Sequence, residues 1–166
     1  MNPACARLSH LQSHEIAGVT PAGMLTKLLI AWSLTALCVV VHAMGMTALL
    51  RWVNLAVARV NMRFWFSTWM LVRAAGWIIL LHLVEIAVWA FFYTWNHGMP
   101  DLPSAFYFSA VTYTTTGYGD LLLPNEWRLF GGVEALTGIL MCGWSAAFFF
   151  ATVSRMNEMR SKPEQT

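Results

Sequence analysis

The sequence predicts an all-α membrane protein with three transmembrane helices and one short re-entrant helix. The chain of 166 residues is 58% hydrophobic and only 11% charged, whereas charged residues make up about a quarter of a soluble domain. Three apolar stretches are each long enough to cross a bilayer, which takes about 20 helical residues. A fourth apolar segment, 103–116, is too short to span and runs into a glycine-rich turn, as a re-entrant helix does.

These stretches divide the chain into five segments. In order, they are a polar N-terminal segment (1–26), a first transmembrane helix (27–50), a partly interfacial linker (51–73), a larger helical domain (74–155) and a tail (156–166). Within the larger domain we predict an outer helix (74–96), a re-entrant helix (103–114), a loop (115–120) and an inner helix (129–154). The outer and inner helices each contain one acidic side chain, Glu85 and Glu134 respectively.

The distribution of charge predicts the topology. Four arginines and no acidic residue lie in the linker 51–73, namely Arg51, Arg59, Arg63 and Arg73. Because positively charged loops stay in the cytoplasm, we expect the linker and the tail to be cytoplasmic and the N-terminus to lie outside the cell membrane. Tryptophan and phenylalanine between the arginines favour contact with lipid headgroups. The net charge of +2 is too small to indicate nucleic-acid binding.

The string Thr114-Thr-Thr-Gly-Tyr-Gly-Asp120 follows the re-entrant helix and suits the binding of a dehydrated cation. Such an ion needs a column of oxygens at fixed spacing, which backbone carbonyls supply when successive residues turn them the same way. That geometry requires backbone conformations of alternating hand, and Gly117 and Gly119 adopt positive φ at little cost. The Thr115 hydroxyl adds an oxygen at the inner end, and Tyr118 turns its ring away from the ion path.

The re-entrant helix is predicted to begin near Pro103, a residue suited to a first helical turn. Asp101 or Ser104 is the candidate cap for this end. The opposite end, which carries the negative end of the helix dipole, then points toward the ion path.

Residues 74–155, roughly half of the chain, resemble the pore of small prokaryotic potassium channels, in which two transmembrane helices flank a pore loop. The filter of that family reads Thr-x-Gly-Tyr-Gly-Asp, here Thr115 to Asp120. The Ala105-Phe-Tyr-Phe-Ser109 segment is similar to the pore helix of bacterial and two-pore-domain members, and Trp127 matches a tryptophan of the simple bacterial channels. The first helix and the N-terminus lie outside the resemblance.

The resemblance implies a four-fold pore formed by a homotetramer in the lipid bilayer. It implies that K⁺ binds in the filter at Thr115, Thr116, Gly117, Tyr118 and Gly119, with Asp120 at the outer mouth. It implies no enzymatic activity, no cofactor besides K⁺ as the permeant ion, and neither a nucleic acid nor a soluble protein as partner. The alternative is a non-conducting or regulatory subunit of a potassium channel or transporter.

Four residues near the filter are candidates for its support: Tyr107, Phe108, Val111 and Trp127. Val111 occupies a position at which one bacterial channel type has a glutamate bonded to the filter aspartate. Phe108 replaces a tryptophan that bonds the filter tyrosine in many members, so we expect fewer hydrogen bonds, for which Tyr107 compensates. Thr116 stands where valine or isoleucine is commonest, which alters the packing behind the filter.

Polar and glycine residues inside the spans leave further alternatives open. Gly138 is a candidate gating hinge or a site of close packing. His82 and Glu85 share one helix face, either as a pH sensor or as a structural pair that includes His42. A metal site formed by these three residues is a weaker alternative, because their spacing matches no recognised ligand pattern. Glu134 is expected to stabilise the region behind the filter or to accept a bond from a tyrosine or tryptophan.

Overall fold

The computed structural model describes residues 21–59 and 64–161, whose regular structure is entirely helical. The elements are α1 (Pro21–Arg59), α2 (Phe64–Trp95), α3 (Leu102–Tyr113), a 3₁₀ turn (Asn125–Trp127) and α4 (Arg128–Ser161). No strand occurs within the described residues, and the predicted all-α fold is confirmed. Predictions for 1–20, 60–63 and 162–166 fall outside the described part of the chain.

Three of the helices are long and apolar enough to cross a membrane. The candidate spans are Pro21–Ala56 in α1, Thr68–Trp95 in α2 and Asn125–Arg155, which includes most of α4. Helix α3 has 12 residues, which at 1.5 Å per residue gives about 18 Å, too short to span. The number and order of the helices therefore agree with the sequence analysis.

Helix α1 is longer at both ends than the predicted span 27–50. It begins at Pro21, which suits a first helical turn, and continues to Arg59. No glycine or proline interrupts residues 51–59, where alanine and leucine favour helix. Much of the predicted linker 51–73 is consequently helical, because α2 already begins at Phe64.

The three long helices pack with α1 parallel to α4 and antiparallel to α2. Three hydrogen bonds join α1 to the α4 region in rising order along both: Lys27 Nζ to the Glu126 carbonyl (2.8 Å), Thr35 to Thr137 (2.9 Å) and Arg155 to Asn54 (3.3 Å). Against α2 the order reverses, since His42 contacts Glu85 whereas Gly45 accepts from Trp77 Nε1 at 3.1 Å. The beginning of α1, the end of α2 and the beginning of α4 therefore lie at the same end of the bundle.

The short helix α3 lies against both α2 and α4 near this end. Its buried residues are Ala105, Ser109 and Tyr113, which at four-residue spacing form one helix face. That face packs into a core that includes Trp89 and Phe130. The fold thus holds the α3 C-terminus, and the loop that follows it, at a defined depth among the long helices.

Candidate functional site

The N-terminus of α3 is capped by Asp101. Its Oδ1 accepts from the Ser104 backbone N–H at 2.8 Å, and its Oδ2 accepts from the Ser104 hydroxyl at 3.2 Å. Pro103 lies in the first turn, where its missing N–H is tolerated. A carboxylate also complements the positive end of the helix dipole. These contacts fix the start of the helix, whose other end leads directly into the glycine-rich loop.

The loop folds back on the last turn of α3 through backbone hydrogen bonds. The Val111 carbonyl accepts from Thr116 N at 2.9 Å and from Gly117 N at 3.2 Å, while Thr115 N donates to Thr112 O at 2.9 Å. These bonds pair carbonyls at the helix end that would otherwise lack partners. The predicted support residue Val111 therefore contacts the loop through its backbone.

The backbone of the loop alternates in hand from residue to residue. Thr115, Gly117 and Gly119 have positive φ, at 59°, 56° and 76°, whereas Thr116 and Tyr118 between them do not. Glycine adopts such angles readily, but a threonine there is uncommon and strained. Alternation of this kind turns successive carbonyls toward one side, as a column of ion-binding oxygens requires.

The loop is exposed when the chain is considered alone. Every residue from Thr114 to Asp120 is exposed, and Tyr118 has 71% of its surface accessible. Backbone polar groups at membrane depth need partners, because lipid offers none. The partners of these carbonyls must then be ions, water or other chains.

Of the remaining candidate support residues, only Tyr107 bonds to the loop. Its hydroxyl donates to Asp120 Oδ2 at 2.8 Å, and this hydrogen bond raises the pKa of the Tyr107 phenol. Phe108 instead packs edge-on against Tyr93, with ring centroids 5.5 Å apart. Trp127 belongs to an aromatic cluster with Phe92 and Phe130, at 5.8 and 5.3 Å.

Glu134 of α4 is fully buried and bonded to two other helices. Tyr93 of α2 donates to its Oε2 at 2.7 Å, and Ser109 of α3 donates to its Oε1. Both carboxylate oxygens therefore have a hydroxyl donor, and α2, α3 and α4 are joined behind the loop. A tyrosine partner was one of the predicted possibilities, whereas Ser109 was not singled out from the sequence.

His82 and Glu85 belong to a second buried cluster, which also contains the predicted partner His42. His42 Nδ1 lies 2.8 Å from Glu85 Oε1, and His82 Nδ1 lies 3.5 Å from Glu85 Oε2. Tyr113 of α3 donates to Glu85, and Ser145 of α4 contacts both imidazoles. The cluster thus connects α1 and α2 to the end of α3 and to α4.

The same cluster was the possible metal site of the sequence analysis. Ligand-type atoms of His42, His82 and Glu85 lie within 4.8 Å of one another. Each of their nitrogen and oxygen atoms already has a hydrogen-bond partner in the chain. Hydrogen bonds within the chain therefore account for the arrangement of the three residues, and a metal site there stays the weaker alternative.

Residues 78–155 match the family model described as ion channel. They contain most of α2, all of α3, the glycine-rich loop and α4 as far as Arg155. Over this segment the chain is a member of the ion channel family. No curated protein and no solved structure matches the chain significantly.

The family assignment and the fold together define a multi-pass membrane channel in which α1 precedes the family segment. That helix, α1, supplies Thr35 and His42 to contacts inside the bundle. In the channel, α1 therefore belongs to the packed structure around the pore-loop segment. The ion channel family also suggests that the chain is not an enzyme.

Gly138 of the channel is the point at which α4 crosses the C-terminus of α3. A β-carbon there would overlap the carbonyl oxygen of Tyr113 and lie 2.8 Å from its carbonyl carbon. The absence of a side chain at 138 is thus required for the close packing of the two helices. A gating bend at Gly138 stays a prediction.

Sequence reasoning missed four hydroxyl-bearing partners: Tyr93, Ser109, Tyr113 and Ser145. Ser109 and Tyr113 are four residues apart on a short helix, a spacing that places them on one face. This spacing was the available signal, because two buried acidic residues need donors and α3 carries two hydroxyls on one side. Nothing comparable in the sequence identifies Ser145.

Proposed function

We propose that the chain is a subunit of a potassium-selective channel that conducts K⁺ passively across the cell membrane. The observation that carries the proposal is the sequence Thr-Thr-Thr-Gly-Tyr-Gly-Asp in a backbone whose φ angles alternate in sign over Thr115–Gly119. A protein rarely holds a threonine at positive φ unless the surrounding structure and a function require it.

In this proposal, backbone carbonyls of the filter replace the hydration shell of K⁺. The carbonyls of Thr115, Thr116, Gly117 and Tyr118 coordinate the ion, with the Thr115 hydroxyl at the inner end. Gly119 completes the alternating backbone, and Asp120, fixed by Tyr107, lines the outer mouth. The C-terminal end of α3 contributes the negative end of its dipole to the ion path. No cofactor is needed besides the permeant ion.

The proposed assembly is a homotetramer. One chain supplies a single filter strand, whereas a closed ring of carbonyls around an ion takes four. The exposure of 114–120 in the single chain supports this proposal, since these polar groups need partners. The arginine-rich segment 51–73 favours an orientation with the N-terminus outside and the C-terminus in the cytoplasm.

The test is the reversal potential of the purified channel in planar bilayers, with K⁺ on one side and Na⁺ on the other. We expect reversal near the K⁺ equilibrium potential. Gly117→Ala should abolish this selectivity, because a β-carbon at φ +56° strains the backbone and displaces the carbonyl.

Gly143→Ala is the matched control. Gly143 lies in α4, and no described atom beyond the backbone of its own helix lies within 4 Å of an added β-carbon, so selectivity should persist. Current without preference for K⁺ in the wild-type channel contradicts potassium selectivity. Absence of current under all conditions favours a regulatory subunit instead.

A further inference from the structure

The cluster around Glu85 forms a closed ring of hydrogen bonds between five side chains. Tyr113 bonds to Glu85 Oε2, and the other four contacts are Glu85 Oε1 to His42 Nδ1 (2.8 Å), His42 Nε2 to Ser145 Oγ (3.2 Å), Ser145 Oγ to His82 Nε2 (3.2 Å) and His82 Nδ1 to the Tyr113 hydroxyl (3.1 Å). Each member bonds to two others around the ring, His82 Nδ1 also lies 3.5 Å from Glu85 Oε2, and together the five side chains join the four described helices.

The five contacts of this ring need one more hydrogen than the side chains supply in their ordinary ionisation states at neutral pH. Each of the five contacts needs one hydrogen between its two heavy atoms. Neutral His42 and neutral His82 supply one hydrogen each, and so do the hydroxyls of Tyr113 and Ser145. An ionised Glu85 supplies none. Four hydrogens cannot complete five contacts, so the observed geometry requires a further proton on the carboxylate or on one imidazole.

The surroundings favour the same protonation state. Glu85 and His42 are fully buried, and Tyr113 and Ser145 nearly so. Without the additional proton the ring has a charge of −1, and no lysine or arginine of the described residues pairs with Glu85. With it the net charge is zero, which removes the cost of an unpaired charge inside a membrane.

The other titratable groups that interact electrostatically with Glu85 do not compensate that charge. They are the thiols of Cys38 on α1 and Cys142 on α4. The ring of Trp144 packs against His42 at 5.3 Å and adds no charge. A thiol is neutral or negative, so neither cysteine replaces the proton.

We propose that this ring is a proton-binding site that ties α1, α2 and α4 to the C-terminus of α3. Loss of its proton leaves one of the five contacts unmade and a negative charge within the bundle. Because Tyr113 immediately precedes Thr114 and the filter loop, the state of the ring determines how firmly that end of α3 is held. The proposal holds whichever ion the channel conducts.

The linkage between proton binding and folding fixes the sign of the pH dependence of stability. Glu85→Gln gives a ring that is complete without an ionisable proton, since the amide N–H donates to His42 and the amide oxygen accepts from Tyr113. The folded wild type therefore binds one proton more than the folded variant, whereas both unfolded chains bind the same number once Glu85 is ionised, above pH about 6. Raising the pH should destabilise the wild type relative to the variant, and the stabilisation by the proton is lost as pH rises through the folded midpoint.

The experiment measures reversible unfolding of the full-length protein in mixed detergent micelles between pH 6.5 and 8.5. We expect the unfolding constant of the wild type, divided by that of Glu85→Gln, to rise about tenfold for each pH unit. Histidines and thiols elsewhere titrate equally in both proteins and cancel. A ratio that does not change with pH overturns the proposal.

Glu126→Gln is the control, the same substitution at an exposed carboxylate in the 3₁₀ turn. Glu126 lies outside the ring, so its ratio to wild type should be constant with pH. A slope for Glu126→Gln equal to that for Glu85→Gln shows that the pH dependence does not come from the ring and contradicts the proposal.

A second measurement uses Glu134→Gln, which removes the other fully buried carboxylate as a source of protons and does not depend on the folding of Glu85→Gln. Unfolding at pH 7.5 in weak buffer with an indicator dye should release about one proton per chain, because the unfolded histidines and Glu85 are then mostly deprotonated. Release of less than about half a proton per chain contradicts a protonated ring.

Discussion

At the scale of single residues, Gly138 is the position at which packing against the backbone most clearly requires a glycine. The backbone carbonyl of Tyr113 occupies the space of a β-carbon at 138. A clash with backbone is costly, because a flexible side chain cannot move aside to relieve it. The residue that the sequence offers as a hinge has a reason to be glycine even if α4 never bends.

We predict that Gly138→Ala destabilises the channel by about 1–3 kcal/mol, the usual cost of overpacking a dense interior. Pushing α4 away from the end of α3 should also reduce the current, since the filter loop begins at Thr114, directly after Tyr113. Thermal unfolding and single-channel recording of the same preparation measure both effects.

Gly143→Ala on the same helix serves as the comparison, because no described atom beyond the backbone of its own helix lies within 4 Å of the added β-carbon. It should leave stability unchanged or raise it by up to about 1 kcal/mol, since alanine favours helix more than glycine does. Equal losses from the two substitutions show that contacts with other chains, and not the Tyr113 carbonyl, decide the outcome at 138.

At the scale of the element, α3 is a short helix held by two buried carboxylates. Ser109 bonds to Glu134 and Tyr113 bonds to Glu85, and each carboxylate also bonds to a further helix. Twelve residues form a marginal helix in isolation. We therefore attribute the position of α3 chiefly to these contacts, to the Asp101 cap and to the apolar residues packed around its buried face.

Ser109→Ala should accordingly destabilise the channel by about 1–3 kcal/mol, because Glu134 Oε1 loses its hydroxyl donor while it remains fully buried. Ser33→Ala is the control, since the Ser33 hydroxyl bonds only to Ile30 O in an exposed position of α1. Unfolding in detergent micelles compares the two. A cost for Ser109→Ala no larger than that for Ser33→Ala contradicts the role given to the Glu134 contact.

The elements themselves were predictable, whereas only some of their contacts were, such as that of His42 with Glu85. Apolar length identified the three long helices, and the charge and proline before Ser104 identified the start of α3. The positive φ of Gly117 and Gly119 also agreed with the residue type at each position. The Glu85 ring depends on which faces of four helices meet, and no local pattern in the sequence specifies that the Ser145 hydroxyl will contact both imidazoles.

At the scale of the whole molecule, α1 is part of the bundle. Its contacts with α4 extend from Lys27 to Asn54, which is nearly the full length of the span. These contacts make α1 parallel to α4, so the start of α1 and the end of α4 lie on opposite sides of the membrane. The fold therefore separates the start of α1 from the end of α4, and the positive-inside rule predicts that the end of α4 is the cytoplasmic one.

Labelling of single cysteines tests this orientation in intact cells that express the channel. We predict that a membrane-impermeant maleimide reaches Cys5 from outside when Cys38 and Cys142 are replaced by alanine. The physical reason is the arginine-rich segment 51–73, since positively charged segments are retained in the cytoplasm, which leaves the N-terminus outside.

The companion variant has Ser161→Cys as its only cysteine and should react only after the cells are permeabilised. Cys5→Ser in the first background reports non-specific labelling. A reversed pattern contradicts the orientation and leaves the helix packing intact, because α1 and α4 then still run parallel. Labelling of both cysteines from the same side contradicts the packing itself, since two parallel spans cannot place the start of the first and the end of the last on one face of the membrane.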